Sequence, residues 1–255
     1  MSADSPFLSV RDLRVSFHSA RGRVDAVRGV ALDVHAGEVL AVVGESGSGK
    51  STLARALIGM IPIQSGTMTL QGEPLARTVR GRSLAQRRRI SMVFQDSGAA
   101  FNPRFTVERI LMEPLKLLAL AHQDVVRPAQ LLERVRLSAS LLTRYPHELS
   151  GGQRQRVGIA RALAGKPDLL ICDEAVSALD VSVQAQILNL LSDLQEEAGL
   201  AFLFITHDLT VVEYFADRVA VMYRGQILES GSLAEVIDTP QTDYTRRLLD
   251  AVPTF

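Results

Sequence analysis

Apolar residues along the first 35 positions recur at every second place: Leu13, Val15 and Phe17 in one run, then Val30, Leu32 and Val34 in another. A period of two lines one face of a strand, so both runs predict antiparallel strands with a single buried face. VLAVVG, at 39–44, is apolar without interruption, which is the pattern of a strand covered on both faces. The period then becomes helical in STLARALIGMIP, where Leu53, Leu57, Ile58 and Ile61 share a stripe and Pro62 predicts the stop.

From about 106 to 164 the periodicity is helical, in TVERILMEPLKLLAL and PAQLLERVRL, and Pro114 predicts a kink or a division into two helices. LSGGQRQR, at 149–156, leads into the helical pattern of RVGIARALAG. Beyond 168 strands and helices alternate. LLICD and AFLFITH read as buried strands, and between them Val183, Ile187, Leu190, Leu191 and Leu194 line one face of a helix stopped by Gly199. RVAVMYRGQILESG reads as a hairpin turning at Arg224 and Gly225, and SLAE has capping-box spacing for one more helix. The expected fold is α/β: a parallel core with an N-terminal antiparallel β lobe and an inserted helical subdomain. The whole chain, 1–255, reads as one domain, with 7–96 and 166–252 forming the core and β lobes and 97–165 the helical insertion.

Composition narrows the classes. With 255 residues the chain is long enough for a sizeable core, and 28 basic against 28 acidic residues leave no formal net charge. That balance argues against bulk electrostatic binding to nucleic acid or anionic lipid. The single cysteine, Cys172, excludes an internal disulfide or a cysteine metal cluster and suits a reducing compartment. The opening MSADSPF lacks a signal-peptide pattern, and the apolar runs fall short of the roughly 20 residues that span a bilayer. The expectation is a soluble, cytosolic protein whose membrane role would come through a partner.

The chemistry sits at strand ends. GESGSGKS satisfies the full P-loop pattern, Gly44, four residues, then Gly49, Lys50 and Ser51, and lies between a strand and a helix. Backbone amides of Gly44, Glu45, Ser46, Gly47, Ser48 and Gly49 would close around the β-phosphate. Lys50 would reach the β and γ oxygens, and Ser51, followed by Thr52, would bind Mg²⁺. Asp173 ends the strand LLICD, placed to hold the magnesium directly or through water, and Glu174 one residue on could deprotonate an attacking water. His207, in FITHD, could donate to the γ-phosphate or position Glu174; the bland reading is a satisfied polar residue after a strand. Gln95, in MVFQD, could touch the magnesium or the water without adding charge.

A second anion device begins at Ser150, where a hydroxyl and the glycines Gly151 and Gly152 precede a helix. Ser150 lies 100 residues after Lys50 and falls on the helical insertion. Pairing two chains head-to-tail gives it a purpose, because each Ser150 turn would then cap the γ-phosphate held by its neighbour. ATP would act as the glue, and hydrolysis would release it.

The order GESGSGKS, Gln95, LSGGQ, LLICDE, SALD, His207 resembles the ATP-binding cassette (ABC) ATPases, from about residue 7 to 252, and LSGGQ is that superfamily's own signature. The resemblance implies that the α/β core is the P-loop ATPase core of the ABC ATPase fold, with ATP and Mg²⁺ as cofactors. It adds Gln153 to the signature turn, places Phe17 where the family stacks an aromatic on adenine, and places Asp180 in the loop through which subunits communicate. A buried strand phenylalanine is the competing reading of Phe17. Ala175 departs from the family, many members of which carry proline there.

More narrowly, GESGSGKST, VFQDSGAAFNPRFTV, DEAVSALDVSVQAQILNLL and YTRRLLDAVP resemble the ATPase subunits of dipeptide, oligopeptide and nickel importers. Such a subunit pairs with a related ATPase, or with itself, beneath two permeases at the cytoplasmic face of the inner membrane, fed by an extracytoplasmic binding protein. Many members carry an iron–sulfur extension, which this single-cysteine chain is not expected to share. The resemblance also puts the 97–105 region against the permease, with Phe101 and Phe105 either exposed for that contact or, for one of them, packed in the core.

Arg87, Arg88 and Arg89, with Arg77, Arg80 and Arg82 upstream, read as a solvated face or as a nucleic-acid patch; zero net charge favours the first. A soluble ABC ATPase acting on nucleic acid or ribosomes is the alternative function, and it lacks its usual coiled-coil insertion or second cassette. A non-hydrolysing module leaves the intact set Lys50, Asp173, Glu174 and His207 without a purpose. The cargo, peptide or nickel chelate, rests on the resemblance alone.

Overall fold

The computed structural model describes residues 5–19, 22–118 and 127–251. In chain order, β1 (Leu8–Ser19), β2 (Gly22–Val34) and β3 (Val39–Val43) precede α1 (Lys50–Leu57). Next come β4 (Ser65–Leu70), the short β5 (Glu73–Pro74), α2 (Leu84–Arg89) and β6 (Ile90–Val93). Helices α3 (Val107–Leu117), α4 (Pro128–Arg134) and α5 (Gly151–Leu163) are inserted before β7 (Leu169–Asp173). The chain closes with α6 (Val181–Ala198), β8 (Ala201–Ile205), α7 (Leu209–Phe215), β9 (Arg218–Tyr223), β10 (Gln226–Ser232), α8 (Leu233–Asp238) and α9 (Asp243–Asp250). It divides into two compact units, Met1–Gln86 with Ala201–Phe255, and Arg87–Leu200.

In the first unit β1 is the antiparallel partner of both β2 and β4, in the order β2-β1-β4-β5. Leu13, Val15, Val30, Leu32 and Val34 are buried, as period two requires, but Phe17 at the open end of β1 is 42% exposed opposite Val24. A second layer runs β10-β9-β3-β8, with β3 parallel to both β8 and β9. Every residue of β3 and β8 is buried, which is why their sequences do not alternate. Phe202 and Phe204 of β8 each meet Phe215 of α7 edge-on at 5.4 Å, a favoured aromatic geometry. Arg224 and Gly225 both take positive φ, the two-residue turn the hairpin pattern demanded. Ser232 and Glu235 close a capping box at the start of α8.

The end of α1 differs from expectation. Its stop is Gly59, not Pro62: at φ 77 the glycine turns left-handed, its N–H donates to the Ala56 carbonyl, and Met60 N–H donates to that of Arg55. This pair of bonds satisfies the orphan carbonyls of the last turn. A side chain at 59 would press on the Val79 backbone nitrogen at 2.6 Å.

In the second unit β6 pairs in parallel with β7. Thr106 caps α3, which runs as one helix through Pro114, its buried stripe of Val107, Ile110, Leu111 and Leu115 holding it in place. Packing of such a stripe outweighs the one hydrogen bond a proline removes; the continuation read beyond Leu118 lies outside the described residues. Phe101 is buried at 6% exposure, so it belongs to the core, while Phe105 is half-buried beneath the Arg109 guanidinium at 3.6 Å. Arg88 donates to the Gly165 carbonyl at 2.6 Å and Arg89 pairs with Asp168 at 2.7 Å, so these cations fasten the turn before β7. In the first unit Arg82 is buried, its guanidinium pushed down to about 10 by that burial. Among the described residues no helix is long and apolar enough to cross a membrane.

Candidate functional site

The P-loop grows from β3. Gly44 leaves the strand at φ 148, and a Cβ there would sit on the Met222 carbonyl. Gly49, at φ 107, is as tightly placed against the Ala26 carbonyl, whereas Gly47, at φ 80, faces open space. These backbone values are ones that residues with a side chain rarely adopt. Gly49 also caps α1 without a side-chain hydrogen bond, and the first turn carries no acidic residue. The helix therefore presents amides and the positive end of its dipole unneutralised, a fit to phosphate. Ser48 Oγ is buried and meets no hydrogen-bond partner among the described residues, a second sign of a polar ligand.

Lys50 is almost fully buried, its Nζ donating to the carbonyls of Gly44 at 2.6 Å and Glu45 at 2.9 Å. The ammonium is thereby held inside the loop that would receive the β- and γ-phosphates. Ser51 and Thr52 are half-buried, while Glu45, Ser46 and Gly47 stand exposed at the rim. A cleft of about 200 Å³ opens there, lined also by Tyr223 and Arg224 of the β9–β10 hairpin. Gly225 N–H donates to the Ser48 carbonyl at 2.8 Å, fastening that hairpin to the loop. In the sequence Arg224 and Gly225 signal a turn only, and nothing local makes them neighbours of the P-loop. Phe17 is exposed, which suits a stacking platform and removes its core-packing alternative. His207 is exposed at the corner between β8 and α7, a corner tightened by Asp208, whose N–H donates to Thr206 Oγ1 and whose carboxylate caps α7.

In the second unit the strand register brings two site residues together. Val93 of β6 lies opposite Cys172 of β7, so Gln95 and Glu174, each two residues further on, leave the sheet at one edge. Gln95 Nε2 donates to Glu174 Oε2 at 2.9 Å. Glu174 takes φ 48, an uncommon value for a residue with a side chain. Ser177 holds its carbonyl with both N–H and Oγ. Asp173 is buried at the strand end, and burial, then the Asp173 charge, push the Cys172 thiol up. Ala175 is buried beside Glu174 and leaves its carboxylate in place.

Ser150 caps α5: its Oγ accepts from Gln153 N–H at 3.2 Å, and Gln153 Oε1 accepts from Ser150 N–H at 3.0 Å. The box uses the amide of 153 and leaves those of Gly151 and Gly152, ahead of it at the exposed helix tip, for an anion. Asp180 is likewise an N-cap, accepting from Val183 N–H and Ser182 Oγ, which hold its carboxyl below the usual range. A second cleft, of about 310 Å³, places Gln95, Ser97, Gly151, Gln155 and Leu179 around one space. Nothing in the sequence marks Gln155, which reads as an ordinary helix residue, and Ser97 stands there only as the start of the region set against the permease.

The family model described as "ABC transporter" matches residues 27–177. The glutathione import ATP-binding protein GsiA of Salmonella typhi is 49% identical over 97% of this chain, which spans 41% of that relative's length. A putative peptide import ATP-binding protein of Brucella ovis is 45% identical over 98% of this chain and 80% of its own. Among solved structures, the post-hydrolysis dimer of the ATP-binding cassette MJ0796 bound to ADP and Pi superposes with a TM-score of 0.76 at 26% identity, covering 89% of this chain and 98% of that one. CbiO1 of Clostridium perfringens, part of the ABC transporter complex cbiONQ, gives 0.76 at 28% identity, covering 92% of each chain. From this match and these relatives, the chain belongs to the ABC transporter family.

Proposed function

We propose that this chain is the ATP-hydrolysing subunit of an ABC importer that powers uptake of peptides or metal chelates through partner permeases. The observation that carries the hydrolytic reading is the Gln95–Glu174 pair: a carboxylate oriented at the sheet edge by a neutral amide.

Amides of loop 44–51, that of Glu45 excepted because it donates to the Tyr244 hydroxyl, bind the ATP phosphates together with Lys50. Glu174 takes the proton of a water whose oxygen forms a new bond to the γ-phosphorus. The bond to the β,γ-bridging oxygen breaks, and ADP and phosphate leave. Gln95 orients Glu174 and the water, and His207 donates to the γ-phosphate. Ser51, Gln95 and Asp173 are hard oxygen donors that suit magnesium, which when bound neutralises charge on the phosphates. Phe17 stacks on adenine.

The partner reading is a head-to-tail dimer with a second copy or a related ATPase, each Ser150–Gly151–Gly152 turn and Asp180 facing the neighbour's nucleotide. Two permeases contact the 97–105 region at the cytoplasmic face of the inner membrane, and a binding protein delivers cargo outside. The relatives' names, glutathione import and peptide import, favour a peptide over nickel. Arg88 and Arg89, engaged with Gly165 and Asp168, lend no support to a nucleic-acid role.

Glu174→Gln tests the base. Binding of Mg·ATP stays near wild type while steady-state hydrolysis falls about a hundredfold or more. Turnover near the wild-type rate would remove Glu174 from that role. Gentle detergent purification of the tagged chain from its own membranes tests the assembly: two polytopic permeases should accompany it, and recovery with ribosomes or DNA instead would overturn transport.

A further inference from the structure

The first residue past Gly44 is tied to the far end of the chain. Tyr244 lies in the first turn of α9, is 6% exposed, and its hydroxyl oxygen accepts a hydrogen bond from the Glu45 N–H at 3.1 Å. Its ring meets that of Tyr223 with centroids 4.3 Å apart and packs in a cluster with Ala41 and Val43 of β3, the strand that launches the P-loop. The other side of Glu45 is held as well, because its carbonyl accepts from Lys50 Nζ at 2.9 Å. One residue thus stands in a relay from α9 to the lysine. The helix is itself pinned: Glu229 of β10 accepts from the amides of Gln241 and Thr242 and from the hydroxyls of Thr242 and Thr245.

A loop with three glycines at positive φ has many conformations available, and ordering them on ligand arrival weakens binding. A tether on one of its amides removes part of that cost beforehand. We propose that Tyr244 is a positioning residue for nucleotide: by holding the Glu45 amide it pre-shapes loop 44–51, so that α9 sets the affinity of the site for ATP. The inference rests on the ATP reading above. It assigns α9 a part in nucleotide binding although none of its residues lines the cleft.

Tyr244→Phe keeps the ring, its stack and its burial and deletes only the hydroxyl. Binding of a fluorescent ATP analogue with Mg²⁺ to the full chain, and KM and kcat for ATP, read the effect. Kd and KM should rise about 5- to 10-fold, the cost of one hydrogen bond, with kcat and the melting temperature little changed. A purely structural role would lower the melting temperature and leave Kd within about twofold, and that result overturns the proposal. Tyr244→Leu, which also removes the ring, should lower the melting temperature and raise Kd, and a fall in melting temperature with Kd unchanged would count equally against the proposal. If the wild-type chain itself bound no Mg·ATP, the ATP reading would fall and this inference with it. Equal binding by wild type and Tyr244→Phe would overturn only the tether.

Discussion

Gly151 and Gly152 are neighbours in the signature turn, yet their surroundings differ. A Cβ at Gly152 would come within 2.7 Å of Val183 Cγ1 in the first turn of α6, whereas one at Gly151 would find only Leu179 Cδ2 at 3.8 Å. Neither glycine takes a positive φ, so backbone strain does not separate them. Gly152→Ala should cost about 1–3 kcal/mol through overpacking, while Gly151→Ala should be neutral or slightly stabilising because it narrows the unfolded ensemble. Thermal melts of the two variants decide it, and equal losses would contradict the packing account. If Gly151→Ala melts normally but slows ATP turnover, its bareness serves the anion face. This distinction was invisible in LSGGQ, where both residues read alike. The Gln95–Glu174 contact was equally hidden, since it joins residues 79 apart through the β6–β7 register.

At the scale of elements, α9 hangs on Glu229. Burial alone would raise this carboxyl, but hydrogen bonds from Thr245 Oγ1 and the amides of Gln241 and Thr242 outweigh it, and the net position is below the ordinary carboxylate range. A depressed folded pKa contributes stability that is complete above the unfolded value, near 4.3, and is lost as pH falls through the lower folded one. Glu229→Gln, which keeps the shape and removes the charge, should therefore cost about 1–2 kcal/mol at pH 7. The gap should close in acid. Melting temperatures of the two proteins at pH 7 and near pH 4 check the sign, and a gap that widened on acidification would refute the linkage. Elements with local signals were legible in the sequence: the P-loop between strand and helix, the capping box at Ser232, the turn at Arg224 and Gly225. Those decided by packing were not. Pro62 is the conspicuous breaker after α1 in the sequence, but Gly59, left-handed and close against Val79, ends the helix earlier. Pro114 signals a kink or a division in α3, and the buried stripe around it keeps the helix undivided.

For the whole molecule, the two anion devices raise the question of assembly, because each is built in full and each is exposed at its tip: Glu45, Ser46 and Gly47 on one, Ser150 and Gly151 on the other. Both amide clusters are preformed, the first by glycine conformation and the second by the capping box. Closure of a head-to-tail pair would then demand little rearrangement of either, and the stabilisation would come from a phosphate shared between them. In the proposed pair the γ-phosphate would be the shared group, so its removal should weaken the pair. Glu174→Gln, unable to remove it, should accumulate as a dimer when Mg·ATP is present and return to monomer in Mg·ADP. Wild-type chain should dimerise only transiently. Light scattering on a sizing column measures this directly, and combining Glu174→Gln with Ser150→Ala should reduce the dimer fraction without abolishing ATP binding to the isolated chain. A dimer indifferent to nucleotide, or one unaffected by Ser150→Ala, would mean that the signature turn does not cap a neighbour's phosphate.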